Sequence, residues 1–207
     1  MKAQFITIEG LEGAGKTTQA EVLCDWLESK GIQYIRTREP GGTEIAEEVR
    51  QLVLKHHKEV MDPVAELLLV FAARKQHVEA LIRPTLEKGI WVISDRFTDA
   101  TYAYQGGGRQ LGIERIAVLE EFVLGAFKPD LTLWFDCDAQ TGLGRANARG
   151  DLDRIEKESI EFFNRCRDGY RQRQENEPQR FMQLDASLSV TEVSSALISG
   201  LESLYGR

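Results

Sequence analysis

The sequence predicts an α/β fold in which a five-stranded, mostly parallel sheet carries helices on both faces, with a small lid segment. Short, β-branched apolar segments alternate along the chain with longer segments whose apolar residues recur at helical spacing. The first short segment, residues 5–8, runs directly into a glycine-rich turn and then a helical pattern, which is half of a parallel α/β unit. No internal repeat or low-complexity tract interrupts this alternation, so we expect one domain spanning residues 1–207.

The bounds of the individual elements follow from local patterns. The first helix should stop at Gly31, since glycine is favoured just past a helix end. The long third helix contains Pro84, which predicts a kink there. Strands are predicted at residues 5–8, 33–36, 90–93, 131–135 and 181–184, and helices at residues 17–30, 44–57 and 63–88. Ligands bind beyond the carboxyl ends of the strands in such sheets, so the loops that start at residues 9, 37, 94 and 136 should share one cleft.

Composition excludes several classes of protein. The 207 residues carry 26 basic and 33 acidic side chains, a net charge of −7, which opposes binding to nucleic acid. The longest apolar run, residues 67–73, is far shorter than the roughly 20 residues that span a bilayer, so no membrane partner is expected. The three cysteines lie far apart without a CxxC pair, and no secretion signal opens the chain. We therefore expect a cytoplasmic protein without structural zinc.

A phosphate-binding loop is the strongest motif in the chain. Residues 10–17 read Gly-Leu-Glu-Gly-Ala-Gly-Lys-Thr and fit the P-loop pattern GxxxxGK[ST] between a predicted strand and a predicted helix. The backbone N–H groups of such a loop and the positive end of the following helix bind phosphate. Lys16 is the expected catalytic cation, and Thr17, Asp95 and Glu9 are the expected Mg²⁺ ligands. The predicted ATP-binding residues are Gly10, Leu11, Glu12, Gly13, Ala14, Gly15, Lys16, Thr17 and Thr18.

The P-loop does not define the reaction by itself, since kinases, GTPase switches and motor ATPases share it. The Asn-Lys-x-Asp sequence with which GTPases recognise guanine does not occur in the chain. Motor ATPases usually have an apolar strand that ends in Asp-Glu, whereas the comparable strand here ends at Ser94 and leads into Asp95 and Arg96. Transfer of the γ-phosphoryl group to a small acceptor is therefore favoured, and a P-loop switch or binding module is the alternative.

Polar residues at the same predicted sheet edge can form the acceptor site. Asp95 can hold a metal-bound water or the acceptor, and the forked guanidinium of Arg96 can bind a phosphate. Arg74 lies in an almost wholly apolar helical stretch, so it is either an internal ion-pair partner or a donor to the edge of a base. The residues expected at the acceptor site are Glu39, Pro40, Phe71, Arg74, Arg96, Thr101, Tyr104 and Gln105.

The lid is predicted at about residues 142–156, where arginines and glycines lie close together. Phosphoryl transfer spreads negative charge over three oxygens, which an arginine from a closing segment can neutralise. The variable positions of the P-loop hold Glu12 but no arginine, so the lid is expected to supply one. A solvated basic helix surface is the alternative interpretation of these arginines.

The motifs at residues 10–17, 37–43, 71–74, 95–97, 104–109 and 152–156 together resemble bacterial thymidylate kinase, in order and over nearly the whole chain. The resemblance implies a P-loop NTPase fold of the nucleoside monophosphate kinase type. It implies transfer of the γ-phosphoryl group from ATP to dTMP with Mg²⁺, giving dTDP and ADP for dTTP synthesis. A homodimer is expected from the resemblance alone.

The resemblance also implies individual roles. Arg96 would contact the phosphate of dTMP, Glu12 the 3′-hydroxyl of the sugar, and Arg74 the O4 atom of thymine. Thr101 and Gln105 would lie at the base, and Tyr104 would crowd the 2′ position and so disfavour ribonucleotides. In the lid, Arg149 would be the catalytic arginine, with Arg145 as the alternative.

One position departs from the family pattern. Many members place an aromatic residue four positions before the base-reading arginine, where this chain has Val70, and Phe71 follows one residue later. A shift of one residue rotates a helical side chain by about 100°, so stacking of thymine on Phe71 is a hypothesis, and a core position is the alternative. A kinase acting on dUMP or on a deoxynucleoside is the alternative within the same class of enzyme.

Overall fold

The structure, a computed structural model, describes residues 2–147 and 153–206. A five-stranded sheet with the order β2-β3-β1-β4-β5 forms its centre, and every pair of neighbouring strands is parallel. The strands are β1 (Phe5–Gly10), β2 (Tyr34–Arg38), β3 (Trp91–Asp95), β4 (Leu131–Asp136) and β5 (Phe181–Asp185). The predicted α/β fold is confirmed, and the sheet is wholly parallel because each connection between strands contains a helix.

Helices follow every strand. They are α1 (Lys16–Ser29), α2 (Glu44–Leu54), α3 (Pro63–His77), α4 (Arg83–Glu87), α5 (Thr98–Thr101), α6 (Ile113–Leu124), α7 (Ala139–Asn147), α8 (Ile160–Asn176) and α9 (Val190–Tyr205). In the part of the chain that the structure describes, no helix has the length and apolar character needed to cross a membrane.

The helix predicted over residues 63–88 divides into α3, a π-helical turn (Val78–Ile82) and α4. Pro84 has no N–H, and its ring would crowd the preceding turn of a regular helix, so the wider π turn comes before it. A second π-helical segment, Tyr102–Gly108, continues from α5 and carries two of the predicted substrate-binding residues.

The two faces of β1 pack against different helices, because successive side chains of a strand point to opposite faces. Ile6 and Ile8 belong to a core cluster with residues of α1 and α9, whereas Phe5 packs against Val78 and Phe97 on the other face. The chain passes from β3 on one side of β1 to β4 on the other. Such a reversal opens a crevice at the carboxyl ends of the strands, and this crevice is the predicted cleft.

Candidate active site

The P-loop occupies the turn between β1 and α1. Gly13 and Gly15 have φ angles of 72° and 81°, in the left-handed region that favours glycine. A Cβ on Gly13 would overlap the carbonyl oxygen of Gly142 in α7, so only glycine fits at this point. Gly15 provides no side-chain cap for α1, which leaves the N-terminal amide groups of that helix for an anion.

Lys16 is the first residue of α1. Its Nζ atom donates hydrogen bonds to the carbonyl oxygens of Gly10, at 3.1 Å, and Leu11, at 2.8 Å. Burial lowers the pKa of Lys16 below its ordinary value, and the charge of Arg96 lowers it further. The ammonium group is thus held by two neutral backbone acceptors, and negatively charged phosphate oxygens can replace them with stronger hydrogen bonds.

A cavity of about 600 Å³ opens beside the P-loop, at the carboxyl ends of β1 and β3. Further walls come from the turn after β2, the end of α2, α3, the chain from Asp95 to Gln105, and residues 153–156. The predicted site residues that line it are Glu12, Gly13, Gly15, Lys16, Thr17, Thr18, Glu39, Pro40, Arg74, Asp95, Arg96, Thr101, Tyr104 and Gln105. The structure therefore brings predicted donor and acceptor residues into one space. Of the other P-loop residues, Leu11 and Ala14 are buried in the core, and Gly10 ends β1.

Arg96 connects the P-loop to the acceptor side of the cavity. Its Nη2 atom forms a short ion pair with Oε1 of Glu12, and its guanidinium lies 4.6 Å from the centre of the Tyr104 ring. The Tyr104 hydroxyl donates a hydrogen bond of 2.6 Å to Oε2 of Glu12. Burial alone would raise the pKa of Glu12, but the charges of Arg96 and Lys16 hold it below the ordinary value, so this carboxylate is ionised.

The backbone at Arg96 has a φ of 73°, which is uncommon for a side chain other than glycine. Three hydrogen bonds maintain it. The Arg96 N–H donates to the Ile8 carbonyl at 3.0 Å, and the Ser94 hydroxyl donates to the Arg96 carbonyl at 2.7 Å. The next N–H, of Phe97, donates to Oε1 of Glu9 at 2.7 Å. The turn that presents Arg96 is therefore fixed by β1.

Arg74 is almost fully buried, at 2% exposure, and is held by two groups. Its Nε atom donates to Oε2 of Glu39 at 2.6 Å, and Nη2 donates to the Phe97 carbonyl at 3.1 Å. The other Glu39 oxygen lies 3.0 Å from Nδ1 of His77. Sequence reasoning left an ion-pair role and a ligand-binding role open for Arg74, and the structure shows the ion pair while leaving one nitrogen for a ligand.

Three buried polar atoms of cavity residues have no hydrogen-bond partner among the described residues. They are Nη1 of Arg74, Oδ1 of Asp95 and Oγ1 of Thr101. A buried polar group without a partner destabilises a protein by roughly 1–3 kcal/mol, so such atoms in a cavity indicate a ligand. Together these atoms offer a ligand one nitrogen donor, one carboxylate acceptor and one hydroxyl group that can donate or accept.

Glu9 does not lie at the cavity, which corrects its predicted role as a metal ligand. Its second oxygen accepts a 2.8 Å hydrogen bond from the Tyr170 hydroxyl of α8, so both oxygens are engaged in the interior. Burial, and next the charge of Asp99, raises the pKa of Glu9 to about 8. Glu9 lies on the same face of β1 as Phe5, and that face packs under helices.

Phe71 lies in the core, and not at the ligand cavity where stacking on thymine would require it. It is 1% exposed and packs with Leu67, Tyr102 and Ile116, whereas Val70 lines the cavity. The 100° rotation between consecutive helical residues explains why only one of them faces the ligand space. The core alternative is the correct one for Phe71.

The predicted lid is described in part. Arg145 of α7 lines the cavity, and its Nη1 atom donates to the Ala186 carbonyl at 2.9 Å. Arg149 lies outside the described residues. In the last part of the predicted lid, Asp153, Ile155 and Glu156 line the cavity, while the Arg154 side chain bonds to Glu66 behind the cavity wall.

Sequence reasoning missed two residues near the cavity. Arg50 lines it and donates from Nη1 to the Pro40 carbonyl at 2.9 Å. Glu66 lies behind the wall and accepts a 2.7 Å hydrogen bond from Nε2 of Gln105. Arg50 resembles any solvated arginine of an amphipathic helix. The sequence does show that Glu66 is a carboxylate at the start of an apolar helix. Acidic residues are common there because they stabilise the helix, so the position does not by itself indicate a functional residue.

Comparison with known proteins identifies the family. A profile of the thymidylate kinase family matches residues 8–197. The thymidylate kinase of Hahella chejuensis is 52% identical over 200 residues, covering 97% of this chain and 96% of the relative. The chain belongs to the thymidylate kinase family.

Further thymidylate kinases are similar to this chain in sequence or in structure. That of Pseudomonas fluorescens is 53% identical over 197 residues, covering 95% of this chain and 94% of the relative. The crystal structure of thymidylate kinase from Ehrlichia chaffeensis superposes with a TM-score of 0.78 at 32% identity, covering 98% of this chain and 99% of that one. Thymidylate kinases transfer the γ-phosphoryl group of ATP to dTMP, giving dTDP and ADP for dTTP synthesis, and this is the activity of the chain.

Proposed function

We propose that ATP places its phosphates on the P-loop and that dTMP fills the rest of the same cavity, with its base towards Arg74 and its phosphate at Arg96. The observation that carries this arrangement is the set of three unpartnered buried atoms, on Arg74, Asp95 and Thr101, in a cavity that also contains the P-loop lysine. A thymine base and a metal-bound phosphate supply the partners that these atoms lack.

The base end of the cavity favours a pyrimidine with a carbonyl at C4. Nη1 of Arg74 can only donate, which suits the O4 acceptor of thymine and not the amino group of cytosine. Glu39 fixes the guanidinium through Nε, so the free nitrogen cannot turn away without breaking a buried ion pair. Val70 and Tyr104 supply apolar surface beside the base and the sugar.

The phosphate end of the cavity brings the two reacting groups together. A phosphate oxygen of dTMP attacks the γ-phosphorus of ATP, the bond from that phosphorus to the β–γ bridging oxygen breaks, and ADP leaves. Arg96 would bind the attacking phosphate, exchanging part of its contact with Glu12 for the ligand. Lys16 would bind the transferred group, and catalysis consists mainly of positioning and neutralising charge.

The residues present fit a Mg²⁺ ion. Thr17 follows Lys16 in α1 and lines the cavity, and Asp95 carries an unpartnered carboxylate oxygen in the same cavity. One or two protein ligands suffice, because Mg²⁺ in such sites binds mostly water and substrate phosphate. When bound, Mg²⁺ would neutralise charge on the phosphates of ATP.

A lid arginine completes the proposed site. Arg149 is our choice for the cation that meets the transferred group, and Arg145 is the alternative, since its guanidinium already has a backbone partner.

A second copy of the chain is the proposed partner of an apolar surface on α2, α3 and α6. We call this surface the apolar helical face; its residues are Ile45, Leu52, Val64, Leu68, Val118 and Phe122, all exposed. Val64 and Leu68 lie one turn apart on α3, as Val118 and Phe122 do on α6, and α3 packs against both α2 and α6. Exposed apolar patches of this kind mark protein interfaces.

A cytoplasmic location is proposed as well, supported by three buried cysteines that form no disulfide.

An acceptor panel tests the proposal. The protein is incubated with ATP, Mg²⁺ and one of dTMP, dUMP, dCMP, TMP (the ribonucleotide) or thymidine, and the products are separated by chromatography. We expect dTDP to form fastest, with no diphosphate in a sample of the Lys16→Ala variant prepared in parallel. Equal or faster turnover of dCMP would contradict the assignment of Arg74, and phosphate release without a phosphorylated acceptor would support a hydrolytic switch.

A further inference from the structure

Glu66 lies at the centre of a buried polar cluster behind the cavity wall. It is fully buried near the start of α3, and it contacts residues from two other parts of the chain. Oε1 accepts hydrogen bonds from Nε2 of Gln105, at 2.7 Å, and Nε of Arg109, at 3.3 Å. Oε2 accepts from Nη2 of Arg154 at 2.5 Å.

Glu66 is ionised in this cluster. Burial alone would raise the pKa of its carboxyl group, but the hydrogen bond from Gln105 and the charge of Arg109 lower it below the ordinary value. An ionised carboxylate only accepts hydrogen bonds. The amide of Gln105 must therefore turn its NH₂ group towards Glu66.

This constraint decides what Gln105 presents to a ligand. Gln105 is 4% exposed and lines the cavity, whereas Glu66 lies behind it. The two ends of a side-chain amide point in different directions, so fixing the NH₂ end towards Glu66 leaves the carbonyl oxygen on the side away from Glu66. A carbonyl oxygen is an acceptor, and it suits the N3–H donor of thymine but not the N3 acceptor of cytosine.

The same carboxylate binds Arg154, in the last part of the predicted lid. Arg154 also donates from Nε to the Val53 carbonyl at 2.9 Å, and its own N–H donates to the Leu54 carbonyl at 3.2 Å. Its neighbours Asp153 and Ile155 line the cavity, as do Val53 and Leu54. Glu66 thus contacts both a residue at the base end of the cavity and the segment that forms another wall.

We propose that Glu66 is a positioning residue for base recognition: it fixes the orientation of the Gln105 amide for a base bearing N3–H. This inference rests on the proposed function, in which Gln105 lies at the thymine base.

A double-mutant cycle tests the inference. The dissociation constant of dTMP is measured by calorimetry for the native chain, Glu66→Gln, Gln105→Ala and the double variant, with thermal unfolding as the check on folding. We expect Glu66→Gln to weaken dTMP binding about tenfold, as for loss of one hydrogen bond to a charged group, and to weaken it by less than about twofold when Gln105 is already alanine. Equal losses in both backgrounds, or no loss in the native background, would overturn the inference.

Two further variants keep the test decisive. If Glu66→Gln does not fold, Glu66→Asp is used in the same cycle, because it keeps the negative charge beside the arginines while the shorter side chain moves the carboxylate away from its present partners, Gln105 included. Glu120→Gln is the matched control. Glu120 of α6 is another buried carboxylate, and it accepts a hydrogen bond from the Tyr102 hydroxyl. Its loss should leave dTMP affinity unchanged. Weakened binding in this control, equal to that of Glu66→Gln, would make the effect a general one of buried charge and overturn the inference.

Failure of the proposed function gives a different result. If Gln105→Ala alone leaves dTMP affinity unchanged, Gln105 does not contact the base, and the substrate assignment of Gln105 fails together with the inference. If Gln105→Ala weakens binding but the cycle is additive, only the role of Glu66 fails.

Discussion

The Tyr104 hydroxyl donates a 2.6 Å hydrogen bond to Glu12, so a residue of the π-helical segment contacts a residue of the P-loop across the cavity. Arg96 lies between them, paired with Glu12 and above the Tyr104 ring. The loop that binds ATP and the residues proposed for dTMP therefore belong to one hydrogen-bonded cluster. A change in any member is expected to affect both substrates.

The lid arginine is testable by comparing two positions. Arg149→Ala should lower kcat about a hundredfold, as for loss of one preorganised group that neutralises transition-state charge, with little change in KM for dTMP. Arg145→Ala is the comparison, because the Arg145 guanidinium is occupied by the Ala186 carbonyl. Steady-state kinetics of both variants decide the question, and a larger loss of kcat in Arg145→Ala would reverse the assignment.

Phe71 should affect stability and not substrate binding. Phe71→Leu is expected to lower the free energy of unfolding by about 1 kcal/mol, because the ring packs in the core, and to leave dTMP affinity unchanged. Val70→Ala removes apolar surface from the cavity wall and should weaken dTMP binding several-fold. Urea denaturation and calorimetry measure the two effects. Weakened dTMP binding in Phe71→Leu alone would restore the stacking hypothesis.

Gly13 should tolerate no side chain. Gly13→Ala combines a left-handed backbone, which costs about 1–2 kcal/mol for alanine, with overlap of the Gly142 carbonyl oxygen. We expect a lower melting temperature and weaker ATP binding. Gly144→Ala is the control, because Gly144 lies in α7 with Gly142 but a Cβ there meets no other atom within 4 Å. This substitution should stabilise α7 by about 0.5–1 kcal/mol. Equal stability of the Gly13→Ala variant and the native chain would contradict the observed contact.

Glu9 should make stability fall as pH rises towards 8. Its pKa is raised from 4.5 to about 8 in the folded state, so between these values the folded chain holds a proton that the unfolded chain has lost. The free energy of unfolding then decreases with pH, by at most about 1.4 kcal/mol per pH unit from this group. Glu9→Gln resembles the protonated acid and cannot titrate. Relative to this variant, the native chain should lose stability from pH 5 to pH 8 in urea denaturation, and parallel curves would show that Glu9 does not titrate in this range.

The apolar helical face should hold a dimer together. Phe122 is 86% exposed on α6, and Phe122→Glu places a charge on the proposed interface. Light scattering after size exclusion should give the mass of two chains for the native protein and of one for the variant. Leu204→Glu on α9, an exposed leucine away from this face, should leave the dimer intact. A monomeric native chain would contradict the proposal.

Much of the site could be predicted because its residues lie in short motifs at strand ends. The parallel sheet brings these ends to one edge, and Lys16, Asp95 and Arg96 line the cavity there, as expected for residues at the end of a strand or in the turn and helix start that follow it. The position of Glu9 was not predictable in this way, because helices cover both faces of β1 and strand alternation does not show which face meets the cavity. Its place in the interior depends on its contacts with Phe97 and Tyr170.

Contacts between distant segments were not predictable from one sequence. Arg154, the partner of Glu66 in the last part of the predicted lid, lies 88 positions away. No local pattern distinguishes these two residues from ordinary charged surface residues, because their contact arises only when α3 and this part of the lid pack together. The choice between Val70 and Phe71 needed the packing of α3, because the 100° rotation shows that only one of them faces the ligand but not which one.

The contact between Gly13 and Gly142 limits how the enzyme can evolve. Each position excludes a side chain because of the facing backbone: a Cβ on Gly13 would overlap the Gly142 carbonyl oxygen, and a Cβ on Gly142 would lie 2.5 Å from the carbonyl oxygen of Glu12, the residue before Gly13. Both residues already have the smallest side chain available, so neither substitution can be compensated by trimming its neighbour. A second substitution that restores a Gly13 variant must therefore displace the backbone of α7. Selection for revertants should return the original glycine far more often than it yields a change at position 142.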